Sequence, residues 1–196
     1  MYGATLEDMD AGDKLPLRRF TRREYDDLID RGFFEPDEKV ELLRGLLVTM
    51  SPQGDEHYSI TRKVGNVLTR ALPERFGVAM HSPFCATDDS EPEPDICVFD
   101  CERFPRTKPT EALLLVEVSG DSLRRDRGVK LGIYAENGVP EYWIVIVGRC
   151  EVEIYTEPCD VGYAKMERIA IDGLLRPWFD PTIVIPLRTL PWPEAS

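Results

Sequence analysis

The stretch from Glu91 to Val147 constrains the fold more than any other. It opens with EPEPDICVFD, passes through ALLLVEV at 112–118 and ends in EYWIVIV at 141–147. Ile96 to Phe99 is an apolar run of strand length. Ala112 to Val118 is nearly continuous in apolar residues, as expected of a strand covered on both faces. Tyr142 to Val147 is a third such run, and between the last two, residues 125–137 carry a helical spacing that stops at Gly138 and Pro140. Strand, helix, strand in that order predicts a βαβ crossover within one sheet. Two carboxylates interrupt these runs: Asp95 stands at the mouth of the first and Glu117 inside the second. A buried carboxylate is costly without compensation. Adjacent strands can bring the two to one point, where hard oxygen ligands suit Mg²⁺ or Mn²⁺. Lys130 lies on the following helix, sharing a face with Tyr134 and with Asp126. A metal held there would polarise a phosphoryl oxygen and acidify a bound water, and the lysine would orient that water or stabilise developing charge. Each residue also has a plainer reading. Asp95 after Pro94 fits a turn or cap, Glu117 fits a partner for an arginine across the sheet, and Lys130 fits a solvated helix lysine.

The remaining chain supplies flanking elements. Residues 1–17 read as an acidic tail and 191–196 as a loose, proline-rich one, leaving 18–190 as a single domain. Thr21 and Glu24 form a capping box for a helix over 22–31. KVELLRGLLVTM (39–50) predicts a hairpin about Arg44-Gly45, with Glu41 in its first strand. After a break at 51–54, apolar residues at helical spacing predict a helix over 56–72, with His57 in its first turn. Short strands are expected at 78–80, 151–155, 163–171 and 182–187, the third-last pairing as a hairpin with 142–147. The fold class is α/β (α+β): a central mixed sheet flanked by helices, with added antiparallel strands. Edge strands near the C-terminus need cover, which makes a homodimer an expectation.

Composition narrows the function. No apolar run approaches the ~20 residues that span a bilayer. The acidic N-terminus lacks an apolar h-region, so no secretory signal is expected, and five irregularly spaced cysteines without a C-x-x-C read as free thiols in a reducing cytoplasm rather than as a zinc site. The formal net charge of −12 argues against non-specific nucleic-acid binding, although a local basic patch remains compatible with it.

Pro94-Asp95, an interval of strand and loop, then Glu117-Val118-Ser119 is similar to the PD-(D/E)XK nuclease superfamily. More narrowly, SPQGDEH (51–57), EPEPDI (91–96) and LVEVSGDSLRRDRGVKLGIYAENGVPEYWIV (115–145) resemble the Uma-type restriction-endonuclease-like family, over roughly residues 18–190. The resemblance implies a restriction-endonuclease-like core, a divalent metal (Mg²⁺ or Mn²⁺) and phosphodiester hydrolysis. Asp95 matches the aspartate of PD and Glu117 the acid of (D/E)XK, which makes them the implied metal ligands. The superfamily lysine would stand at 119, where this chain has Ser119, and the Uma-type pattern moves it to Lys130. Tyr134 matches an aromatic family position on the same helix, Glu41 the acid of an earlier V-E-L motif that would complete the site, and His57 a family histidine at the head of a helix, while Ile146 replaces an acid that usually follows W-I-V. The leading reading is a Mg²⁺-dependent endonuclease acting on nucleic acid, DNA above all. Arg124, Arg125 and Arg127 would contact the phosphate backbone, although Asp121 and Asp126 partly cancel them. The alternatives are a catalytically silent interaction protein that keeps the nuclease fold, and a hydrolase of a small phosphoester.

Overall fold

A computed structural model describes residues 17–50 and 54–193. Apart from Leu17 and residues 191–193, the two expected tails lie outside the described residues, as do residues 51–53 of the break. Helix α1 (Arg22–Asp30) starts at the capping box read from the sequence: Thr21 Oγ1 accepts from the Glu24 amide, and Glu24 Oε2 accepts from the Thr21 amide at 3.0 Å. Strands β1 (Val40–Leu43) and β2 (Leu46–Thr49) form the expected hairpin. Arg44 (φ 51°) and Gly45 (φ 76°) both take the left-handed conformation that a two-residue hairpin turn demands. Helix α2 (Asp55–Ala71) follows.

The central sheet has six strands in simple sequential order: β3 (Phe76–Met80), β4 (Ile96–Asp100), β5 (Leu114–Ser119), β6 (Glu141–Ile146), β7 (Glu151–Cys159) and β8 (Gly162–Ala170). Only β5 and β6 run parallel, and the helical segment between them makes the predicted crossover. That segment is composite: α3 (Leu123–Arg125), a π-helical turn (Asp126–Lys130) and α4 (Leu131–Glu136). The π-turn was not foreseen, since nothing in side-chain periodicity distinguishes one wide turn from an α-turn. Gly138 (φ 70°) closes the segment at the predicted C′ position. The expected strand over 182–187 shrinks to β10 (Ile185–Pro186), paired with β9 (Leu174–Leu175). Pro186 is its last residue and Pro181 precedes it, and a residue without an N–H cannot extend a ladder.

Period-two alternation divides the core. Val116 and Val118 of β5 point to the face covered by Ile60, Val64 and Leu68 of α2 and by the C-terminal segment. Leu115 points to the face covered by Ile133 and Tyr134 of α4 and by Phe84. Glu117 shares the parity of Leu115 and so lies under the π-turn and α4.

Candidate active site

The site is built on one rung of the sheet. The β4–β5 register pairs Ile96 with Val116, and one residue further along it Asp95 lies opposite Glu117. The β3–β4 register pairs Met80 with Ile96, and one residue on, His81 lies opposite Asp95. His81, Asp95 and Glu117 therefore come from three adjacent strands at one level. Asp95 and Glu117 are each 5% exposed. Asp95 is not a free turn residue. Its Oδ2 accepts the Val118 amide at 2.7 Å and contacts His57 Nε2 at 3.0 Å, while Oδ1 lies 3.3 Å from His81 Nδ1. Burial pushes its carboxyl up, but the hydrogen bonds from His57, His81 and the Val118 amide outweigh this and hold it at about 2.

Above the sheet, Lys130 is buried, contrary to the plainer reading of it as a solvated lysine. Its ammonium donates to Glu117 Oε1 at 2.9 Å and lies 3.0 Å from Glu41 Oε2. Glu41 reaches the site because β1 docks on the loop before β4: Leu42 and Glu91 exchange backbone hydrogen bonds, and the Glu93 amide donates to Glu41 Oε2 at 3.2 Å. Tyr134, one turn beyond Lys130, donates its hydroxyl to Glu117 Oε1 at 2.7 Å. Asp126 is buried beside them, with Oδ2 accepting from Ser119 and, at 2.6 Å, from Ser122. Glu41 and Glu117 thus share one buried ammonium, with the charge of Asp126 close by. Burial would lower the lysine, but those carboxylates more than reverse this and raise its pKa above the ordinary value. Burial raises Glu117 well above the usual carboxylate range; Lys130 opposes this, while Asp126, Asp95 and Glu41 add to it. Burial and the adjacent Glu117 likewise raise the Tyr134 phenol, so it stays a neutral donor.

These groups face a cavity of about 630 Å³. Its wall includes His57 and Glu56 from the first turn of α2, Glu93, Arg124, Arg125, Asp126 and Val147, with Asp95, Glu117 and Lys130 as part of its lining. Of the three arginines read as backbone contacts, Arg124 and Arg125 line this cavity and Arg127 does not. Arg127 turns to Glu153 on β7 and donates to both its oxygens at 2.7 and 2.8 Å. Arg125 Nε sits 3.7 Å from Glu41 Oε1.

The sequence reading missed two members of the site as functional groups. Asp126 carried a signal, since it lies four residues before Lys130 on one helix face. His81 carried none, because only the β3–β4 register brings it to Asp95. Among the described residues, no three His, Cys, Asp or Glu side chains stand together in metal-ligating geometry. The donor chemistry nevertheless suits a small hard cation. Glu117 Oε2 makes no hydrogen bond among the described residues, and the buried Asp126 Oδ1 and Glu41 Oε1 have no hydrogen-bond partner either. Among the described residues no helix is long and apolar enough to cross a membrane.

A six-stranded mixed sheet flanked by helices, with paired acids on one rung beneath a crossover helix, is the architecture of a restriction-endonuclease-like α+β protein. The chain shares this fold with a crystal structure described as "a putative nuclease belonging to DUF820" from Anabaena variabilis, at TM-score 0.70 and 19% identity over 87% of this chain and 97% of that one. The family profile described as "Uma2: Putative restriction endonuclease" matches residues 22–177, and the chain belongs to that family. Comparison with curated proteins gives no match.

Proposed function

We propose that this protein is a divalent-metal-dependent endonuclease that hydrolyses phosphodiester bonds in nucleic acid, with DNA as the first substrate to test. One observation carries the reading: Asp95 and Glu117 meet on one rung at a cavity, and a buried lysine binds the second of them. Asp95 and Glu117 would hold Mg²⁺ or Mn²⁺, and the upward pressure on Glu117 is what a cation would relieve. When bound, the ion supplies Lewis-acid polarisation of a phosphoryl oxygen and a water of lowered pKa.

The protein groups have separable roles. Lys130 stays charged, so it acts as a hydrogen-bond donor and charge stabiliser and does not serve as a base. Glu41 holds the ammonium from the side opposite Glu117. Tyr134 fixes the Glu117 rotamer through its hydroxyl. His57 lines the cavity with its Nε2 engaged by Asp95 and its Nδ1 without a hydrogen-bond partner among the described residues, a position from which it can relay a proton. Arg124 and Arg125 supply positive charge at the wall for a phosphate.

A second reading, a catalytically silent interaction protein on a nuclease fold, draws on Asp95. Both its oxygens are engaged by His57, His81 and the Val118 amide. Incubation with single-stranded, double-stranded and branched substrates in Mg²⁺ and Mn²⁺ separates the two. The nuclease reading expects metal-dependent cleavage that is abolished by Glu117→Gln while the circular dichroism spectrum is retained. Absence of cleavage on all three substrates, with no heat of metal binding, overturns it in favour of the silent protein.

A further inference from the structure

An acidic chain needs a place to hold a polyanion, and the outer face of α2 provides one. From His57 to Pro73 the sequence contains no Asp or Glu, although the chain carries a net charge of −12. Asp55 and Glu56 are the helix's only acids, and they sit in its first turn, where the dipole favours them. Ile60, Thr61, Val64, Gly65 and Leu68 are buried against the sheet. The opposite side of the helix presents Arg62, Lys63 and Arg70, all exposed, together with Tyr58 at 57% exposure. Among the described residues none of these three cations has a carboxylate within ion-pair distance. Several other basic side chains are paired: Arg44 with Glu136, Lys108 with Glu91 and Asp26, Arg127 and Arg168 with Glu153. The strip is therefore an uncompensated positive field on a negative molecule. The strip begins one residue beyond His57, which lines the cavity from the first turn of the same helix. Lys63 and Arg70 lie seven residues apart on one face, about 10 Å along the axis.

We propose that this face of α2 binds a single-stranded segment of nucleic acid leaving the cavity, with Tyr58 as a stacking platform for a base and Arg62, Lys63 and Arg70 on successive phosphates. The proposal rests on the nuclease reading and deepens it by naming the strand's path and form. The single strand follows from burial. Asp95 and Glu117 are each 5% exposed inside a cavity of about 630 Å³, a volume typical of a pocket for one small ligand. An unstacked nucleotide enters such a space and an intact duplex does not. An exposed aromatic ring beside phosphate-binding cations is the usual platform for an unpaired base.

Fluorescence anisotropy of the full chain with a labelled single-stranded oligonucleotide, as DNA and as RNA, tests this over a range of salt concentrations. Each phosphate contact contributes a log–log salt slope of about −0.7 for a single strand. The Arg62→Gln/Lys63→Gln/Arg70→Gln variant should therefore bind at least tenfold more weakly at low salt, with the slope reduced by about 2. Tyr58→Ala should weaken binding by about fivefold to a hundredfold with little change in slope. Turnover of a small aryl phosphodiester, which cannot reach α2, should be unchanged in both variants, and unchanged thermal melting excludes unfolding. Equal affinity and slope for wild type and the triple variant, or tighter wild-type binding to duplex than to single strand, overturns the strip while leaving hydrolysis to be judged by the small substrate. Weakened strand binding in the variants, with no turnover of any phosphodiester by the wild type, supports the strip and removes the nuclease reading.

Discussion

Glu117 and Glu153 occupy the same rung of the sheet, two strands apart with Ile144 between them, and are both buried. Both are met from above by the same π-turn, Glu117 by Lys130 and Glu153 by Arg127. Their electrostatic settings are opposite. Glu153 accepts from Arg127 through both oxygens, from Arg168 at 2.6 Å and from Tyr155 at 2.9 Å. Burial would raise its carboxyl, but the hydrogen bonds from Arg127, Arg168 and Tyr155 hold it at about 2. Glu117 shares its single ammonium with Glu41, lies near the charge of Asp126, and retains an oxygen without a hydrogen bond among the described residues. Glu153 is saturated with donors, whereas Glu117 is left short of positive charge. The π-turn places both cations of this division, Arg127 and Lys130, over one rung, and such turns recur at functional sites.

Removing the shared ammonium should have the largest effect on stability. Lys130→Met leaves Glu41 and Glu117 without their buried counter-charge and is expected to cost about 3–5 kcal/mol in urea unfolding at neutral pH. Because the raised Glu117 can protonate, the loss should shrink at pH 5; an equal loss at both values would mean that packing of the lysine stem dominates. The matching change on the saturated side, Glu153→Gln, should cost about 2 kcal/mol, since its arginines are partly exposed and can rehydrate. Cleavage should be unaffected by that change, and a loss of cleavage would erase the distinction between the two acids.

The pH dependence carries two limbs of opposite sign. Asp95 is depressed to about 2, so its contribution is complete above the ordinary aspartate value near pH 4 and is lost as pH falls through 2, worth about 2 kcal/mol. Glu117 is raised, so its ionised form costs stability above its folded value, and the metal-free protein should gain stability as pH falls from that value toward the ordinary glutamate range. Added Mn²⁺ should flatten the second limb and leave the first. A metal-insensitive stability profile would contradict the assignment. The smallest effect is expected for Tyr134→Phe, about 1 kcal/mol from one lost hydrogen bond to Glu117.

Much of this was legible in the chain. Asp95 and Glu117 announced themselves as carboxylates breaking apolar runs, and the helix between two buried strands fixed the parallel pair. Gly45 and Gly138 marked their turns because each needs a positive φ. Lys130 was named from its place on the helix after the second carboxylate and again through family resemblance, while its burial depends on packing that no local pattern encodes. The destination of Arg127 was hidden for the same reason: side chains three residues apart on one helix reach different strands, and Glu153 lies 26 positions away. The strand expected at 182–187 is shortened to Ile185–Pro186 because Pro181 and Pro186 offer no N–H to a ladder.

The central claim is that the Glu117 end of the rung is a cation site and the Glu153 end is a structural ion pair. Isothermal titration of Mn²⁺ into wild type, Glu117→Gln and Glu153→Gln tests it most directly. Binding by wild type and Glu153→Gln, with none by Glu117→Gln, is the predicted result. Equal binding by all three proteins, or by none, would contradict it.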